Sequence, residues 1–348
     1  VVLLAAIYLS IGVLAVRSID GERRSALASQ ETRMTPGVVE TGLTPPDPIP
    51  AEGSFVPVSV GLYLEGIEAL SLRDSNWTAN FMIWFRWQGD RALNPGANFR
   101  VVDGRVERRE VVEERTAPDG SHYQRLRVVA RMTKFFNTTR VPLDSHMLNI
   151  YIEDGRADAT RMRYVADPAS RLSSRARISG YRITGFRQVV KPHTYRSAFG
   201  DPDLTPEARV SFTEFAIGVT IERAGPGVYL KVFIGLFAGM ALALTSFAIR
   251  AADAGPRFSM LAGAYFGAVA NSYLAGSLIP SSGQFGLVEY VTFLGLFTIF
   301  LSLLATVLSA FIWNTLDDKP FSRRFDRWTA VTVAFGYVAI NLLLPWFA

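Results

Sequence analysis

Hydrophobic and polar positions divide the chain into two regimes. Between Val56 and Arg223 they alternate in short runs: VPVSVGLYL (56–64), NWTANFMIWFRW (76–87), RVVDGRVERREVVEE (100–114) and HYQRLRVVARMTKFF (122–136). HMLNIYIED (146–154), GYRITGFRQVV (180–190) and RVSFTEFAIGVTIER (209–223) continue the series. A period of two with many β-branched and aromatic residues predicts half-buried strands. NPG (94–96), PDG (118–120) and GDPD (200–203) punctuate them as turns. Short strands without intervening amphipathic helices predict an all-β, immunoglobulin-like sandwich, and this stretch is long enough for one such core. The arginine-rich hairpin around 100–131 is expected to be solvated or interfacial.

After Val228 the alternation stops. Four C-terminal segments are long and apolar enough for transmembrane helices, which need about 20 such residues. They are Val228–Ile249, Phe258–Ile279, about Leu287–Trp313 and about Trp328–Phe347. The first connection carries Arg250 and Arg257, the second (281–286) has no Lys or Arg, and the third carries Lys319, Arg323, Arg324 and Arg327. The excess of Lys and Arg on cytoplasmic loops places the first and third connections inside and the second outside. The chain then enters the first segment from outside, which exports the preceding β region. At the N-terminus, Val1–Val16 is an uncharged apolar run followed by Arg17, Asp20, Glu22, Arg23 and Arg24. It reads either as a transmembrane anchor that continues beyond Val1 or as a signal-peptide core, although no A-x-A cleavage site follows. Both readings export what comes next. Residues 17–54, polar and marked by Pro36, Pro45, Pro46, Pro48 and Pro50, read as a tether or partly helical linker. The expected organisation is an anchor (1–16), a Pro-rich linker (17–54), an extracytoplasmic β-sandwich (55–226) and a four-helix transmembrane domain (227–348). The location expected is an inner membrane, with the sandwich in the periplasm.

Composition sharpens this division. The whole chain is 19% charged, yet residues 228–313 hold only Lys231, Arg250, Asp253, Arg257 and Glu289. An ordinary soluble domain carries about 25% charged residues, so a single soluble domain is excluded. The lack of cysteine removes disulfide scaffolds, thiolate metal sites and cysteine nucleophiles. His122, His146 and His193 are scattered without metal-ligand spacing, and no P-loop, dinucleotide fingerprint or G-x-S-x-G motif stands in a suitable context. No cofactor and no metal is expected, and the basic charge flanks membrane segments rather than forming a nucleic-acid platform. The glycosylation-like triplets at Asn76 and Asn137 are of a kind common by chance.

Five elements carry a resemblance. VGLYLEGIEALSLRDSNWTANFMIWFRWQGD (60–90) ends in Trp87 and Asp90, a W-x-D-like element with one extra residue. FFNTTRVPLDSHMLNIYIED (135–154) contains Val141-Pro142-Leu143-Asp144, with Val at an aromatic position. IERAGPGVYLKV (221–232) leads into the first membrane segment through Arg223. GPRFSMLAGAYFGAVANSYLAGSLIPSSGQFGLVEYVTF (255–293) opens with Arg257, passes Ile279-Pro280 and reaches Glu289, and FDRWTAVTVAFGYVAINLLLP (325–345) begins the last segment. Together, in order over residues 56–347, they resemble the pentameric ligand-gated ion channels, or Cys-loop receptors, and specifically their cysteine-free prokaryotic branch.

That resemblance implies a homopentamer in membrane lipid, gated by a small-molecule ligand or by protons, with the second C-terminal segment lining the pore. Helical spacing puts Ser259, Gly263, Phe266, Ala270, Tyr273 and Ser277 on one face, with Phe266 as the closing ring. A one-residue change of register would exchange Phe266 for Tyr265. Small residues on this segment equally permit close helix packing. Asp253 and Arg257 are the candidates for charge selection. The missing Glu before Arg257 resembles anion-selective members, whereas Asp253 would favour cations. For the ligand pocket the resemblance implies a capping hairpin at 193–204 with Tyr195 and Phe199, joined by Trp84, Tyr123, Arg125 and Arg127; each also fits packing or a solvated surface. Coupling is expected through Pro142, Asp144 and Arg223 together with the 281–286 loop, although Pro142 and Asp144 also suit a simple turn. A non-conducting receptor or scaffold of the same architecture is the alternative. An enzyme is not expected, since no acid–base constellation appears.

Overall fold

The computed structural model describes residues 2–39, 44–47, 55–197, 199–200, 202, 205, 208–278 and 285–348. They form two compact units. One is helical (1–25, 137–144 and 225–348) and the other is built on β-sheet (26–136 and 145–224).

In the sheet unit, the period-two runs become β1 (Val56–Ser71), β2 (Asn76–Trp87), β3 (Phe99–Val102), β4 (Gly104–Thr116), β5 (His122–Thr133) and β6 (Ser145–Asp154). The short β7 (Met162–Ala166) and β8 (Arg171–Leu172) precede the long β9 (Tyr181–Tyr195) and β10 (Val210–Arg223). One sheet has the order β4-β5-β2-β1-β7, with β8 also on β1, and the other has the order β3-β6-β10-β9. Alternate residues of both sheets enter one core: Val58, Val60, Leu62, Phe81, Ile83 and Phe85 from the first, and Leu148, Ile150, Ile152, Phe215 and Ile217 from the second. The single strand expected over 100–114 is two. Asp103 adopts positive φ (56°), and the chain leaves the second sheet at Val102 to join the first at Gly104. The β4–β5 hairpin is solvated as expected: its outward charges pair with one another, as in Arg108–Glu110 and Arg125–Glu113.

The helical unit contains most of α1 (Val2–Met34) together with α3 (Gly227–Thr245), α4 (Ala254–Leu278), α5 (Leu287–Asn314) and α6 (Lys319–Phe347). The one-turn α2 (Pro95–Asn98) belongs to the sheet unit. Helices α1, α3, α5 and α6 are long and apolar enough to cross a membrane, which makes this a membrane protein by helix length and composition. Helix α4 is 25 residues long, about 37 Å at 1.5 Å per residue, but its Gly, Ser, Tyr and Asn residues keep it out of that group. The expected anchor does not stop at Val16: α1 continues through the charged residues 17–24 to Met34, replacing the first half of the expected linker. Residues 40–43 and 48–54 of that linker lie outside the described residues.

Helices α1 and α6 lie side by side and run parallel. The Tyr8 ring sits where a side chain on Gly336 would be, Gly12 faces Ile340, and Arg23 reaches the Trp346 carbonyl. Glycine at 12 and 336 is what permits the approach, because a Cβ at Gly336 would lie 2.7 Å from the Tyr8 ring. The Tyr8 hydroxyl donates to Thr298 Oγ1 of α5 at 2.7 Å, which pins the added helix to the bundle.

Candidate functional site

Helix α4 shows two faces in the helical unit. Arg257, Leu261, Ala264, Ala268, Asn271 and Ala275, spaced by four and three residues, are buried. Small residues bring α3 close here: Gly239 faces the Ala264 carbonyl, and the Gly235 amide donates to Asn271 Oδ1 at 3.1 Å. On the other side, Ser259, Gly263, Phe266, Ala270, Tyr273 and Ser277 are all exposed in the single chain. The exposed arc is broad, for Phe258, Tyr265 and Leu274 share it. Phe266 stands further out than its neighbour, 71% exposed against 48% for Tyr265.

The two candidates for charge selection part company. Asp253 is exposed just before α4. Arg257, expected at a pore mouth, is fully buried instead. Its guanidinium holds Asp326 of α6 through two bonds, Nη2–Oδ2 at 2.6 Å and Nη1–Oδ1 at 3.2 Å, and donates from Nε to the Ile249 carbonyl at 3.0 Å. A charge this deep persists because it is paired and hydrogen-bonded. It ties the α3–α4 turn to α6 and does not line an open surface.

Residues 137–144 belong to the helical unit, whereas the strands they join, β5 and β6, belong to the sheet unit. The Thr139 carbonyl accepts from the Leu287 amide at 2.6 Å, at the start of α5. Arg140 donates to the Ala348 carbonyl at 2.8 Å, and Asn137 to Glu22 of α1 at 3.0 Å. Pro142 follows a cis peptide, and Asp144 is buried. Of the expected partner loop, residues 281–284 lie outside the described residues; Phe285 and Gly286 are described. Arg223, the third coupling candidate, stacks over the Tyr181 ring within the sheet unit, 4.2 Å from its centroid.

The ligand-pocket candidates fall on two sheets. Trp84, Tyr123, Arg125 and Arg127 alternate with core residues of β2 and β5, so they lie on the outward face of the first sheet. There the Trp84 indole covers Gly61 and donates to Asp167 at 2.9 Å, while Arg125 and Arg127 pair with Glu113 and Glu65. Burial draws the Asp167 carboxyl upward, but the Trp84 and Ala169 donors outweigh it and leave it below the ordinary value. Tyr195 and Phe199, with ring centroids 5.3 Å apart, belong to the end of β9 and the hairpin that follows. Ala198, Asp201, Asp203 and Leu204 of that hairpin lie outside the described residues. A single chain does not bring the two groups together.

The outward face of the second sheet assembles a cluster that sequence spacing did not show. Arg100 is opposite Glu153 across β3 and β6, and Glu214 and His193 come from β10 and β9. His193 Nδ1 lies 2.5 Å from Glu153 Oε1 and 3.7 Å from Glu214 Oε2. Tyr195 donates to Glu153 Oε2 at 2.8 Å, and Arg100 reaches the same oxygen at 3.0 Å. Arg100 also stacks over Tyr195 and Phe212. Glu153 has no exposed side-chain surface, so these cationic and hydroxyl partners are what keep its charge tolerable. The Glu153 hydrogen bond raises the His193 pKa above its ordinary value despite burial, and burial followed by the Glu153 charge raises that of Tyr195. The ligand atoms of Glu153, His193 and Glu214 are close enough together to hold a metal ion, although Glu153 already serves Arg100 and Tyr195.

The end of α1 and the residues after it cover this face. Met34 is buried with Met147, Val189 and Ala216, and Lys191 Nζ donates to the carbonyls of Thr32 (2.7 Å) and Val38 (2.9 Å). Glu31 pairs with Arg187, and Asp47 with Arg209. A cavity of about 370 Å³ remains between this strap and the cluster, with Val38, Pro46, Asp103, His193, Tyr195 and Glu214 in its wall.

No protein-family model matches the chain, and no curated protein is detectably similar to it.

Proposed function

We propose that the protein is a pentameric ion channel of the inner membrane, gated by a periplasmic ligand or by protons. In this reading the two sheets form an immunoglobulin-like sandwich, and α4 of five copies surrounds the pore. One observation carries it. Ser259, Gly263, Phe266, Ala270, Tyr273 and Ser277 form an exposed stripe along a helix whose other face is packed into its own bundle. A stripe of glycine, alanine, hydroxyls and two aromatics offers small and hydroxyl side chains to a water path, with an apolar ring for closure. The exposed Asp253 leaves α4 one charged candidate for ion selection, now that Arg257 is committed to Asp326.

The arrangement of the sheet unit supports the same reading. Tyr195 and Phe199 on one sheet, and Trp84, Tyr123, Arg125 and Arg127 on the other, form a single pocket only if a neighbouring copy supplies the second group. The 137–144 loop supports the coupling route, because its bonds to Leu287, Ala348 and Glu22 link the β5–β6 connection to α5, α6 and α1.

The test is electrical. Purified protein in planar bilayers should show unitary currents, and Phe266→Ala should raise the open probability by removing the closing ring. Silence of both proteins across ligands and pH, or a native mass other than five chains, would overturn the proposal.

A further inference from the structure

The helical unit contains an apolar groove that the channel reading leaves unused. It lies between α1 and α6, measures about 620 Å³, and carries almost no polar lining. Tyr8, Gly12 and Ile340 contribute to its lining, Leu9 and Phe335 stand exposed at its rim, and Arg17 belongs to the wall as well. The groove exists because α1 touches α6 through the Tyr8–Gly336 and Gly12–Ile340 approaches while the side chains between them diverge. From Ala5 to Arg17 it follows α1 for about 18 Å at 1.5 Å per residue.

The charges around Arg17 are unevenly spent. Asp20 is paired with Arg24 at 2.6 Å, Glu22 accepts from Asn137, and Arg23 reaches the Trp346 carbonyl. Among the described residues Arg17 has neither an ion-pair nor a hydrogen-bond partner. One uncompensated guanidinium therefore stands at the end of a long apolar slot, where the apolar run of α1 gives way to charged residues.

We propose that this groove binds one phospholipid, with an acyl chain along Tyr8 and Gly12 and the phosphate on Arg17. An apolar slot in a membrane-spanning surface is continuous with the acyl layer, and a guanidinium forks onto phosphate oxygens. Because the Arg17 charge has no carboxylate to offset it, the site favours a headgroup with net negative charge, such as phosphatidylglycerol, over phosphatidylcholine. The proposal rests on the helices spanning the membrane and not on conduction.

Native mass spectrometry of the full chain in detergent tests it, with the two lipids matched in acyl chains. The expected result is one retained phosphatidylglycerol per chain, bound about tenfold or more tightly than phosphatidylcholine, as one charge-assisted contact allows. Arg17→Gln, on an exposed residue, should reduce phosphatidylglycerol to the phosphatidylcholine level and leave the latter unchanged. Ala339→Trp or Leu343→Trp, filling the groove, should abolish retention of both, with circular dichroism confirming that the helices persist. Equal retention of the two lipids by the parent chain, or undiminished retention in both groove-filling variants, would show that the lipid sits elsewhere.

Discussion

His193 joins two acids from other strands, and its hydrogen bond to one of them favours the charged form. Glu153 accepts its Nδ1–H, and Glu214 and Asp103 add negative charge; Arg100 and Tyr195 share Glu153, while Lys191 and Arg33 line the adjoining cavity. The imidazolium is therefore favoured in the folded protein beyond its ordinary value of about 6.5. A raised folded pKa contributes stability that is complete below about pH 6.5 and is lost as pH climbs through the raised value. The melting temperature of the intact protein should fall across that interval. His193→Gln, which keeps a polar side chain without the charge, should flatten the curve there. A variant whose pH dependence matches the parent would mean that the pair does not titrate with folding.

At the scale of elements, the 137–144 loop and the start of α5 fit with no space to spare. A Cβ on Gly286 would lie 2.5 Å from the Thr139 carbonyl oxygen and 2.8 Å from its Cα, both backbone atoms that cannot swing away. Gly286 has negative φ (−115°), so alanine suits the backbone and the clash alone is tested. Gly286→Ala should push the loop off, break the Thr139–Leu287 bond and speed hydrogen exchange of the Leu287 amide; overpacking of this kind costs about 1–3 kcal/mol. Unaltered exchange would mean that the loop yields without losing the bond. The strands at this scale were legible because each sheet buries one face, so the period of two is written into Val58-Val60-Leu62 and Phe81-Ile83-Phe85. The β3–β4 break was not. Asp103 in a left-handed conformation is a local backbone event inside an unbroken polar run. Nor was the length of α1. Beyond Val16 the sequence has no apolar stripe, and Met34 is buried only because a distant sheet presents Met147, Val189 and Ala216 to it.

In the whole molecule, what sequence reading missed is what distant strands bring together. Positions 153, 193 and 214 have no meaningful spacing along the chain, and only the pairing of β6 with β10 and of β10 with β9 makes them neighbours. Arg257 was misplaced for a similar reason: its partner Asp326 lies two helices away. The expected direction of each membrane segment rests on other grounds, since the charges of the connections speak to the bilayer and not to a particular neighbour. On the proposed topology the loop charges would send α6 outward, and export of the β region would send α1 outward too, which requires the two helices to run parallel. The Tyr8–Gly336, Gly12–Ile340 and Arg23–Trp346 approaches have that sense. Absence of cysteine makes the orientation directly measurable. A cysteine placed at Gly21, where the space around the backbone is open, should react with a membrane-impermeant maleimide in intact spheroplasts. A cysteine replacing the exposed Asp317, before α6, should react only after the membrane is permeabilised. Labelling of both from the same side would put on one face the ends that parallel packing requires to be opposite, and the proposed topology would fail with it.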